Sequence, residues 1–215
     1  MSSVGWVWDP KSYPYTASNP GIAVVRHAVS VDERRCFFRQ NLIKPARGQQ
    51  SRELWFPGVH SDVGGGYPVA DGSLWRPPFE WMLGEAESAG LFVDDQRLER
   101  VLLGSNDADP WNDMKHESLT WKWWPAEFFP KMVWRPGRGK RPELGLGRHR
   151  RIETPIELHR STLLRIKGNT GYAPPNLSAA FRQQVINLAD VSETLTYTPR
   201  PSAAVTTATS SSRSE

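Results

Sequence analysis

The stretch that decides the fold runs from Leu54 to Tyr67, L-W-F-P-G-V-H-S-D-V-G-G-G-Y. Leu54, Trp55 and Phe56 form a short apolar run that Pro57 and Gly58 cut off, the pattern of a buried strand ending at a turn. His60 stands just past the strand's carboxyl end, where open α/β sheets bind their ligands, and an imidazole there is suited to proton transfer near neutral pH. Asp62 follows two residues later. Gly64, Gly65 and Gly66 permit positive φ angles or a close backbone approach, so the loop can fold back and hold His60 and Asp62 over one cleft. The residues alone fit a second reading equally well: a histidine donating to a backbone carbonyl and an aspartate serving as a turn residue.

Upstream, Asn19 and Pro20 read as the cap and first position of a helix over Pro20 to Phe38, with Ile22, Val25, Val29 and Phe37 at broadly helical spacing. His27, Asp32, Glu33, Arg34 and Arg35 would then form an ion-pair network on that helix. Lys44 to Ser51 reads as a polar connector. Downstream, Ser73 can cap a helix that has Pro77 and Pro78 in its first turn, Phe79, Met82, Leu83 and Ala86 on one face, and Gly90 as its stop. A strand followed by such a helix is a βα unit, with His60 in the loop between them.

From Gly104 to Gly147 turn residues punctuate a span crowded with Trp111, Trp121, Trp123, Trp124, Phe128, Phe129 and Trp134, so regular structure should be sparse. Two readings of the rings stand open, a folded-over aromatic core and an aromatic wall or membrane-contacting surface. Arg135 to Arg151 holds seven Lys or Arg against one acid, Glu143, and reads as a solvated hairpin or loop. Residues 178–198 read as a C-terminal helical segment. The tail, Pro199 to Glu215, is Ser, Thr, Ala and Pro with almost no core formers, and should be disordered.

With 215 residues the chain suffices for one domain or a part of a larger one. Ten Trp and eight Phe concentrate the apolar area in large side chains. Cys36 is the only cysteine, which excludes an intrachain disulfide and a multi-cysteine zinc site. A net charge of +4 suits an anionic surface or substrate but is too weak to indicate a nucleic-acid partner. No apolar run has the length to span a bilayer and no signal-peptide pattern follows Met1, so the expected location is cytoplasmic by default.

The string W-F-x-G-x-H-x-D-V-G-G-G-Y resembles the signature of the type VI secretion phospholipase-effector-like catalytic domain, an α/β-hydrolase family. R-H-A-V-S-V-D-E-R-R at Arg26 to Arg35 and W-M-L-x-x-A-x-x-A-G-L at Trp81 to Leu91 also resemble family segments. So do H-E-S-L from His116, L-H-R-S-T from Leu158 and G-Y-A-P-P-N-L from Gly171, which extends the resemblance from Ser2 to Leu177. It implies the C-terminal part of an α/β-hydrolase over 1–177, an incomplete sheet, and cleavage of lipid or other carboxylic esters without a cofactor or metal.

The family's nucleophile elbow, G-x-S-x-G, stands nowhere in the 215 residues, and the W-D-T aspartate that the family places just before the segment like Ser2 to Trp6 is missing too. The expectation is therefore a chain lacking nucleophile and triad acid, as a truncated gene model would produce. Asp9 is a weak substitute, because an acid before proline usually starts a turn. Carried over from the family, His60 is the expected base with Asp62 in support. His116 is the alternative base, and Asp62 would then be its acid. A non-catalytic binding or interaction protein is the alternative class.

Overall fold

The computed structural model describes residues 18–38, 42–103, 108–135 and 139–199. Asp9, residues 1–10 as a whole and all but the first residue of the tail lie outside them.

The protein is of the α/β class, and its described residues build a four-stranded mixed sheet in the order β1-β2-β5-β6. β1 (Val24–Ser30), β2 (Gln50–Phe56) and β5 (Ile156–His159) run parallel, and β6 (Thr194–Tyr197) closes the far edge antiparallel to β5. β2 carries the run that punctuates the sequence. Leu54 and Phe56 face one side of the sheet and Trp55 the other, and all three are buried, as expected for an internal parallel strand covered on both faces. Trp55 joins Leu158, Leu163, Ile166, Phe181 and Val185 in the main core, which α5 (Arg160–Gly168) and α6 (Ala179–Ile186) cover. Cutting Trp55 back to alanine there would cost about 3–5 kcal/mol. Phe56 packs on the opposite face, 5.6 Å from the ring of Trp81 on α2 (Arg76–Ser88).

Two expectations need correction. The helix over Pro20 to Phe38 is absent: Val24 to Ser30 is β1, in register with β2 from Val24 opposite Gln50 to Ser30 opposite Phe56. Val24, Val25 and Val29 are β-branched and stiff at χ1, which favours a strand, and the neighbouring strand satisfies the backbone that a helix would have satisfied internally. Within the expected network Glu33 and Arg35 do pair, while His27 reaches Glu53 on β2 and Arg34 reaches Glu117. In α2 the cap is Trp75, not Ser73, while Pro77 and Pro78 occupy the first turn as read.

The aromatic-rich region contains two 3-10 turns (Pro110–Asn112 and Trp121–Trp123), the short helix α4 (Trp124–Glu127) and a hairpin of β3 (Lys131–Arg135) and β4 (Gly139–Glu143), with α3 (Asp95–Leu102) just upstream. Residues 178–198 hold α6 and, beyond it, β6. Among the described residues no helix is long and apolar enough to cross a membrane.

Candidate active site

The turn after β2 enters a five-residue helix, α1 (His60–Gly64). Three successive amides of that turn donate to three different carboxylates. Gly58 N–H donates to Asp32 Oδ2 at 2.7 Å, Val59 N–H to Asp62 Oδ2 at 2.8 Å and His60 N–H to Glu33 Oε2 at 3.0 Å. Asp32 and Glu33 follow β1, so the ends of two adjacent parallel strands are tied together by this exchange. Gly58 is required where it stands: its φ is +102°, and a Cβ would lie 2.6 Å from Cβ of Asp62. Of the three glycines, Gly64 ends α1, Gly65 takes a positive φ of +69° as its C-cap and Gly66 passes close to Ser61.

The buried carboxylates differ in character. Burial pushes the Glu33 carboxyl up, but the donors of Arg35, His60 N–H and Ser118 outweigh it and hold the group at about 2. Burial raises Asp32 above the ordinary carboxylate range, against the hydrogen bonds of Gly58 N–H and the Tyr172 hydroxyl. The sequence reading placed both in an ion-pair network rather than in a site. The Asp-Glu pair directly after a strand was the signal available.

Asp62 is buried and does more than cap α1. Its Oδ1 lies 2.6 Å from Nδ1 of His116, which arrives from the irregular region 54 residues away. A carboxylate only accepts, so Nδ1 carries the hydrogen, and in the neutral ring that leaves the lone pair on Nε2. The His116 ring stacks on Tyr67 with centroids 3.7 Å apart and planes 15° apart. The segment leading to it is pinned from α5, where buried Arg165 donates to the carbonyls of Trp111 at 2.6 Å and Asp113 at 2.7 Å. Ser73 N–H donates to Asp113 Oδ2 from the other side. Among the described residues no hydrogen bond reaches Nε2 of His116. An imidazole held at Nδ1 by a carboxylate can accept a proton at Nε2.

His60 points elsewhere. Its ring packs against Phe38 at 5.1 Å and lines a cleft of about 410 Å³ that neither Asp62 nor His116 lines. Burial and then the charge of Arg150 hold its imidazole below the ordinary histidine value. Arg26 through Ser30, five consecutive residues of β1, border this cleft, so it runs along the edge of that strand away from β2. The structure thus joins Asp62 to His116 and sets His60 on the other side of α1. Among the described residues no group of three His, Cys, Asp or Glu side chains is placed to hold a metal ion.

Residues 1–85 match the family model of the T6SS phospholipase effector Tle1-like catalytic domain. This is the family that the W-F-x-G-x-H-x-D-V-G-G-G-Y signature resembles. The match to the Tle1-like model takes in β1, β2 and α1 with His60 and Asp62, and ends inside α2 before His116 is reached. No curated protein and no solved structure matches the chain.

Proposed function

We propose that the chain provides the acid-base half of a serine-type carboxylic ester hydrolase acting on lipid esters, with His116 as base and Asp62 as the carboxylate that orients it. The observation that carries this reading is the 2.6 Å contact between Asp62 Oδ1 and His116 Nδ1, made by a buried carboxylate beyond the carboxyl end of a parallel strand. The Tle1-like match over residues 1–85 supports the substrate class. In the proposed reaction Nε2 of His116 takes the proton from a serine hydroxyl as its oxygen bonds to the ester carbonyl carbon. The imidazolium then returns the proton to the leaving alcohol as the carbon–oxygen bond breaks. Water repeats the sequence to release the acid. Without a G-x-S-x-G in the 215 residues, the serine has to come from another segment, which the family places upstream.

The test is a double-mutant cycle on the protein expressed with its upstream reading frame, read as turnover of a short-chain nitrophenyl ester. Asp62→Asn and His116→Ala should each cost about 10⁴-fold or more, and the double variant no more than His116→Ala alone, because the two act as one unit. Additive losses, or a wild type without turnover, would refute the reading.

A second reading, a non-catalytic binding domain, draws on the cleft along β1. There Arg150 Nε and Trp75 Nε1 are buried without hydrogen-bond partners among the described residues, between apolar walls that include Phe79 and Met82. Saturable binding of decanoate, weakened by Met82→Asp and unaccompanied by any ester turnover, would favour it; absence of binding would remove it.

A further inference from the structure

The aromatic segment Trp121–Phe129 turns its rings outward except that of Trp123, which packs against Phe37 and Phe38. Trp121 is 78% exposed, Phe128 61% and Phe129 55%, while Glu127, the one acid among these nine residues, is wholly buried. The inversion has a cause in the fold. Glu127 accepts the N–H groups of Cys36 at 2.7 Å and Gly147 at 3.1 Å, and the Gly145 N–H donates to its carbonyl. These bonds anchor α4 with the carboxylate inward, and Phe128, one residue further along and about 100° round the turn, stands exposed. Trp124 and Phe128 lie together, with ring centroids 6.2 Å apart.

The same hydrogen bonds bring the loop after β4 alongside. It adds the exposed Leu144, Leu146 and Arg148 to the surface, and exposed Lys122 holds its Nζ 6.0 Å from the ring centroid of Trp121. Glu117 is neutralised by Arg34, which also donates to the carbonyl of Gly147. The result is a patch of exposed Trp, Phe and Leu bordered by cations, with its own carboxylate withdrawn. Trp and Phe beside Lys and Arg on a short amphipathic turn is the composition of an element lying in a membrane interface, the rings at headgroup depth and the cations against lipid phosphates.

We propose that the surface formed by Trp121, Trp124, Phe128, Phe129 and the Leu144–Arg148 loop docks the protein on anionic lipid bilayers. The charge decides between occupants. A second copy would bring the same cations against themselves, whereas an anionic leaflet complements them. The docking stands apart from the ester chemistry: it needs neither His116 nor a serine, and its readout is binding.

The experiment is co-sedimentation of the full 215-residue chain with vesicles of phosphatidylglycerol and phosphatidylcholine, compared with vesicles of phosphatidylcholine alone. The expected result is binding to the anionic vesicles that falls at high salt. Trp121→Ser with Phe128→Ser should lower the vesicle partition coefficient at least about tenfold, since two interfacial rings are lost. Lys122→Glu with Arg148→Glu should lower it about tenfold or more on anionic vesicles while leaving the residual binding to neutral ones unchanged. All four side chains are exposed, so far-ultraviolet circular dichroism should match the wild type. Failure of the wild type to sediment with anionic vesicles, or unchanged binding by both double variants, would overturn the proposal. So would a concentration-dependent dimer in sedimentation velocity that Trp121→Ser with Phe128→Ser abolishes, because the patch would then be occupied by a second copy.

Discussion

Asp62 Oδ1 and His116 Nδ1 meet at 2.6 Å although one residue caps a helix after β2 and the other comes from a segment without regular structure. Asp62→Asn removes the acceptor and offers an amide donor in its place, so Nδ1 should lose its hydrogen to Nε2. Nitrogen-15 spectra of the imidazole ring should show this exchange of tautomers near pH 8, with the fold retained because an asparagine oxygen can still accept from Val59 N–H. An unchanged tautomer would mean that the pair does not set the ring's protonation.

Gly58→Ala should destabilise the protein by about 2–4 kcal/mol, from a positive φ imposed on a residue with a Cβ and from the clash with Asp62. Urea unfolding measures the loss. A change within experimental error would show that the turn relaxes without strain.

Acid should weaken the fold in two windows. Burial, and then the charges of Arg52 and Arg160, hold His159 at about 4, so the unfolded chain takes up its proton first and stability falls as the pH drops from about 6.5 to about 4. Glu33, held at about 2, contributes stability that is complete above about pH 4.5 and is lost as the pH falls through 2. Each window is on the order of 3 kcal/mol. His159 also caps α5 through Nδ1, which accepts from Ser161 N–H, and asparagine can do the same without titrating. Urea midpoints between pH 7.5 and 3 should therefore lose the upper window in His159→Asn and keep the lower one.

Arg165→Leu should cost about 2 kcal/mol or more, because the carbonyls of Trp111 and Asp113 lose their buried donor. Hydrogen exchange should rise in residues 111–116 above its level in α6. Equal exchange in the two segments would mean that α5 does not hold the His116 segment.

β2 and α2 were legible in the sequence because their signals are local: an apolar run stopped by Pro57 and Gly58, and two prolines at positions where a helix needs no amide donors. β1 was not. Asn19-Pro20 imitates a helix start, and the β-branched Ile22, Val25 and Val29 happen to fall at intervals that also suit a helix, so only pairing with β2 decides. At the site, Asp62 and His116 were both singled out, but their meeting depends on Arg165 and Ser73 fixing an aperiodic segment. The roles of Asp32 and Glu33 were hidden for the same kind of reason: they serve amides that become their neighbours only after β1 and β2 pair.

The most direct measurement is ester turnover by His116→Ala beside His60→Ala, each in the protein expressed with its upstream reading frame and checked for folding by circular dichroism. The account predicts that His116→Ala loses about 10⁴-fold or more in kcat while His60→Ala stays within about tenfold of the wild type. Near-normal turnover in His116→Ala with loss in His60→Ala would contradict it and return the role of base to the histidine that faces the cleft.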